Sequence, residues 1–407
     1  MKILTTSGFL SFTFAVSAFA GGLYHVPNEE AEETLPIKWS VGTTAVWDDN
    51  TTPSDPGPDD QTFSLNPYAE MEFSSAAPQT TWDVLAKLGV LYYLDEPVAT
   101  GSDDMYGQMR AGFNLTHRFD ERLRFVTRNF ISYELEPDYS YGFATNRQFS
   151  EYVFWDTDNA VGYRWTERLA TYTGIKLTLL DYSETANSDR FTTTVYNQFR
   201  YVLSPQTVGT ATIRYAQTTG AEQSTDSTDT YLLLGAEHRF SPNTILIGSA
   251  GAQFREVDAV GGKNSTSPYV ELTLRSQVNQ QFMVSGFVRY GAEVYDTVVG
   301  LPLLTEYDSR LTLRIGTQAT YQISDKLSLF SGIDVISASF ENGRAVVGGA
   351  SQPDQSEMLS NVYIGTSLKL TEYLAATLTY NFTHADSDLP DRSYDRNRLS
   401  VGLQAEF

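Results

Sequence analysis

Apolar and polar residues alternate along most of the chain, in runs longer than a soluble sheet needs. In 309–323, Leu311, Leu313, Ile315, Thr317, Ala319, Tyr321 and Ile323 share one phase, and Arg310, Thr312, Arg314, Gly316, Gln318, Thr320 and Gln322 share the other. Residues 269–277 separate Val270, Leu272 and Leu274 from Tyr269, Glu271, Thr273, Arg275 and Gln277. Residues 108–119 separate Ala111, Phe113 and Leu115 from Gln108, Arg110, Asn114 and Arg118. The closing stretch "NRLSVGLQAEF" puts Leu399, Val401, Leu403, Ala405 and Phe407 on one face. A period of two is the period of a β-strand. Strands this long, with one oily and one wet face, predict an all-β fold: a single antiparallel transmembrane β-barrel. A soluble sandwich or solenoid would also alternate, but it predicts neither a terminal Phe nor two unequal rims.

The rims are read from the connections. A hydrophobe, a short polar turn and a new strand recur in "RFDERLRF" (118–125), "RWTERLATY" (164–172), "VLSPQTVGT" (202–210), "RFSPNTILI" (239–247), "QVNQQFMVS" (277–285), "QISDKLSLF" (322–330) and "KLTEYLAATL" (369–378). A looser copy, "EFSSAAPQTTWDV", lies at 72–84. Longer acidic connections alternate with them at 48–60, 94–104, 134–145, 217–229 and 384–395. Short turns on one rim and long loops on the other are the asymmetry of an outer-membrane barrel, with periplasmic turns and extracellular loops. Eight turns with two strands each, plus a first strand near 37–47 and the last at the carboxyl end, give 18 strands, with 16 as the alternative. Phe119, Trp165, Phe240, Phe282, Tyr321 and Tyr373 stand beside the short turns, as a periplasmic aromatic girdle requires.

At the amino end, Lys2 precedes an apolar run that closes on Ala18-Phe19-Ala20, so residues 1–20 read as a signal peptide cleaved after Ala20. Residues 21–36 read as a flexible periplasmic lead-in, and 37–407 as the barrel. There is no Cys, so neither a disulfide framework nor a thiolate chemistry is on offer. A net charge of -22 argues against nucleic acid as a partner.

With the turns "LSPQT" and "FSPNT" between amphipathic hairpins, acidic loops and a terminal Phe, the chain resembles the β-barrel porin 2 family of Gram-negative outer-membrane proteins. The resemblance covers most of the mature chain and is clearest from about 160 to 300. It implies an outer-membrane location among lipids and lipopolysaccharide. Phe407, with Leu403 and Val401, then matches the signal read by the barrel-assembly machinery. It also raises a role beside exopolysaccharide export, although only residues 21–36 could reach a periplasmic partner.

A barrel of this size is too wide for side chains alone to fill, so passive diffusion of small hydrophilic solutes or ions is the leading expectation. The wet phase would carry Arg110, Arg118, Arg124, Arg128, Arg200, Arg275, Arg289, Arg310 and Arg314, with Glu271, Glu293 and Asp334 set against them. Arg214, Arg398 and Glu237 share that phase. These charges either set selectivity by their local field or pair across strands and keep the lumen rigid. The irregular carboxylates of 48–60 match no EF-hand, so no metal site and no cofactor are expected. One place offers groups for enzymatic chemistry: His384 falls opposite Ser360, with Asn397 on the same outward phase in the next strand. A one-residue slip would turn these faces apart, and the expectation is a channel without catalysis, or else a plugged structural barrel. Whether it is a monomer or a trimer stays open at this level.

Overall fold

The computed structural model describes residues 34–51, 61–95, 103–135, 150–183, 189–220, 226–257, 264–293, 298–301, 303–307, 309–345, 347–389 and 392–407. The expected signal peptide and most of the lead-in lie outside these residues, as do the centres of most of the acidic loops.

The described residues form 22 strands. They are β1 (Leu35–Asp48), β2 (Thr62–Ala76), β3 (Thr80–Tyr93), β4 (Met105–Arg118), β5 (Leu123–Glu134) and β6 (Tyr152–Arg164). Next come β7 (Leu169–Tyr182), β8 (Arg190–Ser204), β9 (Thr207–Gly220), β10 (Ser227–Ser241), β11 (Thr244–Val257), β12 (Ser265–Gln277) and β13 (Phe282–Glu293). Two short strands, β14 (Val298–Leu301) and β15 (Leu303–Glu306), precede β16 (Ser309–Gln322) and β17 (Leu327–Glu341). Two more, β18 (Gly343–Ala345) and β19 (Ser351–Gln352), precede β20 (Gln355–Lys369), β21 (Leu374–Ser387) and β22 (Tyr394–Glu406).

The long strands make one 18-stranded antiparallel sheet. It closes because β1 pairs with β2 on one edge and with β22 on the other. The strand count is the one the turns predict, and all eight turns fall where the sequence put them. β6 lies within the segment 146–165, between an acidic loop and the "RWTERLATY" turn. Four of the expected loops are shorter than read: Asp48, Glu134, Gln217–Gly220 with Ser227–Asp229, and His384–Ser387 with Tyr394–Asp395 are strand. The four short strands, which the sequence reading passed over, form a separate small sheet at the long-connection rim. Beside it Tyr307, Ala338, Phe340 and Leu389 make a buried apolar cluster.

The recurring turn has a physical cause. In "FDERL", Asp120 Oδ1 accepts from the N–H groups of Arg122 (2.6 Å) and Leu123 (2.8 Å). Thr166, Asn279, Ser324 and Thr371 hold the same two bonds, to residues two and three further on. Ser204 and Ser241 hold the first of them. Asp, Asn, Ser and Thr favour turns because their short oxygens take over these backbone donors. The hydrophobe before each of these residues points away from the barrel: Phe119, Trp165, Leu203, Phe240, Val278, Ile323 and Leu370 are all exposed. Each turn motif therefore reverses the chain and places one member of an apolar girdle.

Glycines thin the inner wall at places where a ring crosses it. A Cβ on Gly174 would sit 2.5 Å from the Tyr196 ring on the next strand, and one on Gly42 would sit 2.6 Å from Tyr68. Where a ladder is interrupted, a side chain replaces it. Pro268 in β12 has no N–H to donate, and the β12–β13 pairing stops at Val270 and Tyr290. Gln253 of β11 reaches past that gap, donating to Ala292 O (2.9 Å) and accepting from Ala292 N (2.9 Å).

Candidate functional site

The two phases of the wall have opposite characters. Outward positions such as Trp39, Val41, Leu88, Phe199, Leu234, Ile364 and Val401 are large, apolar and exposed. Contacts that skip a strand mark the other face as the concave one, since only there do side chains of second neighbours converge. Tyr196 of β8 donates to Asp158 Oδ1 of β6 (2.8 Å). Asn66 of β2 donates to Gln108 of β4 (2.5 Å), and the Arg214 guanidinium of β9 lies 5.5 Å from the Tyr269 ring of β12.

The pairing register puts every expected lumen residue on this concave face. Arg110 stands opposite Lys87, Arg118 opposite Arg124, and Arg128 opposite Asp158. Glu271 pairs in register with Arg289, Arg289 with Arg314, Glu293 with Arg310, and Asp334 with Gly316. The residues differ in their reach to solvent. Arg118 is exposed at its turn, and Arg110, Arg124, Arg128, Arg275, Arg289 and Asp334 are partly exposed. Arg200, Arg310, Arg314 and Glu271 are buried against the wall.

Most of these charges are partnered. Arg110 forks onto Glu134, and Arg200 donates to Glu237 (2.5 Å). Glu293 takes Arg289 at 2.7 Å on Oε1 and Arg314 at 2.9 and 2.8 Å on both oxygens. Arg255, which the sequence reading did not single out, forks onto Asp229 at 3.0 and 2.9 Å and reaches the Glu293 carbonyl at 2.8 Å. Lys176 meets Asp156 at 2.8 Å. Fork-shaped Arg–carboxylate pairs are strong and orienting, so the inner wall is held in a fixed charge pattern.

That pattern is uneven around the barrel. From β4 to β16 the concave face carries Arg110, Arg118, Arg124, Arg128, Lys176, Arg190, Arg200, Arg214, Arg239, Arg255, Arg275, Arg289, Arg310 and Arg314, against fewer acids: Glu134, Asp156, Asp158, Asp229, Glu237, Glu271 and Glu293. From β17 through β22 and β1 to β3 the balance reverses. Asp334, Glu357, Glu406, Asp48, Glu70, Glu72 and Asp83 outnumber Lys369, Arg396, Arg398, Lys38 and Lys87.

The seam between β22 and β1 is fastened at both ends. Arg396 forks onto Asp48 near the long-connection rim, and Lys38 meets Glu406 at 3.2 Å near the short-turn rim. Phe407 N donates to Trp39 O (2.8 Å) while Trp39 N donates to Phe407 O (3.1 Å). Phe407, Leu403 and Val401 all face outward and are exposed.

On the outer wall, Ser360 does stand opposite His384, but the expected third member is replaced. His384 Nδ1 lies 2.7 Å from Asp395 Oδ1. Asn397 is engaged elsewhere, donating to Asp49 (2.6 Å) and accepting from the Tyr380 hydroxyl (2.6 Å). His384 is turned toward Asp395, and its contact is with that carboxylate. Among the described residues no His, Asp and Glu side chains cluster as a metal site would require.

These two faces define a closed β-barrel, apolar outside and charged within. No family model matches the chain and no curated protein matches it, so the resemblance to the β-barrel porin 2 family rests on the turns and the terminal strand alone. Among solved structures, OccAB4 of Acinetobacter baumannii is similar at 13% identity, covering 94% of this chain and 100% of its own, with a TM-score of 0.45. The outer-membrane protein OpdK of Pseudomonas aeruginosa is similar at 12% identity, over 91% and 99%, with a TM-score of 0.46. OccK2 (OpdF) of the same organism, solved with glucuronate, is similar at 11% identity, over 91% and 98%, with a TM-score of 0.47. At that distance they bear on no particular residue of this chain.

Proposed function

We propose that the chain is an outer-membrane channel of porin type in a Gram-negative bacterium, through which small hydrophilic solutes diffuse passively. The observation that carries this reading is the inverted barrel itself. An apolar exposed outer wall needs lipid around it, and a charged concave face needs water within. The twelve lumen residues expected from the sequence are then pore-lining, and the basic arc from β4 to β16 favours anionic solutes by its local field. The residues on this arc that keep contact with solvent, Arg110, Arg118, Arg124, Arg128, Arg275 and Arg289, would be the ones a solute meets. Phe407, Leu403 and Val401 serve as the assembly signal of the closing strand. No observation favours an export role over a diffusion channel.

The test is single-channel conductance of the refolded, signal-cleaved protein in a planar bilayer, with the reversal potential measured across a salt gradient. A steady conductance with anion preference is expected. A correctly folded barrel that never conducts would overturn the channel reading.

A further inference from the structure

Away from the polar group around His384 near the long-connection rim, a second stretch of the outer wall departs from the apolar rule. On β5 and β6, between the girdle residues Phe119 and Trp165 on one side and Trp155 on the other, the outward positions are Thr127, Asn129, Thr157 and Asn159. They form a closed ring. Thr127 donates to Asn159 (2.6 Å), Asn159 to Thr157 (2.9 Å), Thr157 to Asn129 (2.6 Å), and Asn129 back to Thr127 (2.9 Å). Two Thr-x-Asn sequences paired antiparallel generate it, so the ring has a local two-fold axis normal to the wall. The polar stretch continues onto β7 and β8, where Asn197 donates to the exposed Thr173 (2.6 Å). Around it stand the exposed apolar side chains of Val161, Ile175, Val195 and Phe199.

In hydrocarbon a polar group without a partner costs several kcal/mol. The ring uses one N–H of each asparagine, and no hydrogen bond of a described residue takes the second N–H of Asn129 or Asn159. Acyl chains have nothing to accept it. An acceptor must come from another polypeptide that presents polar groups at the same depth in the bilayer. A second copy of this chain, inserted in the same orientation, meets that condition. Its Asn129 and Asn159 carbonyls, partly exposed where Thr127 and Thr157 are buried, lie at equal depth and each keeps an unused lone pair. A two-fold axis along the membrane normal sets one ring against the other, and each supplies what its partner lacks.

We infer that the outer face of β5 to β8 is a docking surface for a second copy of this chain, with the Thr127–Asn129–Thr157–Asn159 ring at its centre. The inference rests on the membrane placement proposed above, and its test separates the two. The molecular mass of the protein should be measured in lipid nanodiscs, alongside bilayer conductance. The wild type should be dimeric. Replacing the ring by apolar residues of similar size (T127V, N129L, T157V, N159L) should raise the dimer dissociation constant by about tenfold or more, about 1.4 kcal/mol, while conductance per barrel persists. Because the native chain has no Cys, V161C beside the ring and A45C on β1 form a second test that leaves the ring intact. Under oxidising cross-linking, V161C should trap dimers and A45C should not. A conducting wild type that is monomeric, a ring-replaced barrel that stays dimeric, or equal cross-linking at both positions would each overturn the interface.

Discussion

The two arcs of the inner wall differ in how their charges are shared as well as in sign. On the basic arc one carboxylate serves several cations: Glu293 holds both Arg289 and Arg314, and its backbone carbonyl accepts from Arg255. On the acidic arc the strongest contact is a single fork, Arg396 onto Asp48, closing the seam. A shared anion leaves local positive charge in excess even though every salt bridge is made, whereas a one-to-one pair cancels. The basic arc can therefore be rigid and still keep a field.

The largest test of that difference removes one anion from each arc. Truncating one partner of a buried pair leaves the other charge uncompensated and costs about 3–5 kcal/mol. Glu293→Gln abandons two guanidiniums and is expected at the top of that range, while Asp48→Asn abandons one and falls at the bottom. Urea unfolding midpoints in detergent report both. A paired replacement at the seam, Asp48→Leu with Arg396→Met, should recover most of the loss, because a well-packed apolar pair often substitutes without cost. Equal losses for Glu293→Gln and Asp48→Asn would remove the distinction between shared and single anions.

A smaller effect should appear in permeation. Each exposed charge beside a water-filled path is worth about 1 kcal/mol at contact distance, roughly a fivefold change in a permeability ratio. Arg110→Gln with Arg128→Gln on the basic arc should move the reversal potential toward cations. Asp83→Asn with Asp334→Asn, partly exposed on the opposite arc, should move it toward anions. If both pairs moved it the same way, or neither moved it, the lumen field would have another source.

Part of this contrast was legible in the sequence. Period two fixes which face each residue takes, so Arg110, Arg289 and Arg314 could be assigned inward from their neighbours alone. The turns gave the strand count because Asp120, Thr166 and Asn279 announce themselves by chemistry. Pairing across the barrel was hidden. That Glu293 is shared, or that Gln253 covers the gap at Pro268, depends on register and on the curvature that brings second neighbours together. The Thr–Asn ring was hidden for a related reason: β5 and β6 are joined by the long connection between Glu134 and Tyr152, so no tight turn sets their register. At His384 the pairing with Ser360 was right although the loop bound was not, and side-chain reach selected Asp395 in place of Asn397.

The smallest expected effect lies at the rim beneath the basic arc. Of the seven turn residues that hold backbone N–H groups, Asp120 is the one that titrates; Thr166, Ser204, Ser241, Asn279, Ser324 and Thr371 do not. The N–H groups of Arg122 and Leu123 favour its charged form and hold its carboxyl below the usual aspartate range. A depressed carboxylate contributes stability that is fully present above its unfolded value, about 3.9. That contribution fades as pH falls through the lower folded value. Acid should therefore loosen the β4–β5 turn more than the β20–β21 turn of the acidic arc, where Thr371 holds the same backbone N–H groups. Asp120→Ser keeps the turn geometry and removes the proton. Amide exchange at Arg122 and Leu123, followed from about pH 7 to about pH 3, should accelerate in the wild type relative to D120S once the intrinsic pH dependence of exchange is divided out. Parallel profiles for the two proteins would mean that the turn is held by its strands, and that the side chain only follows.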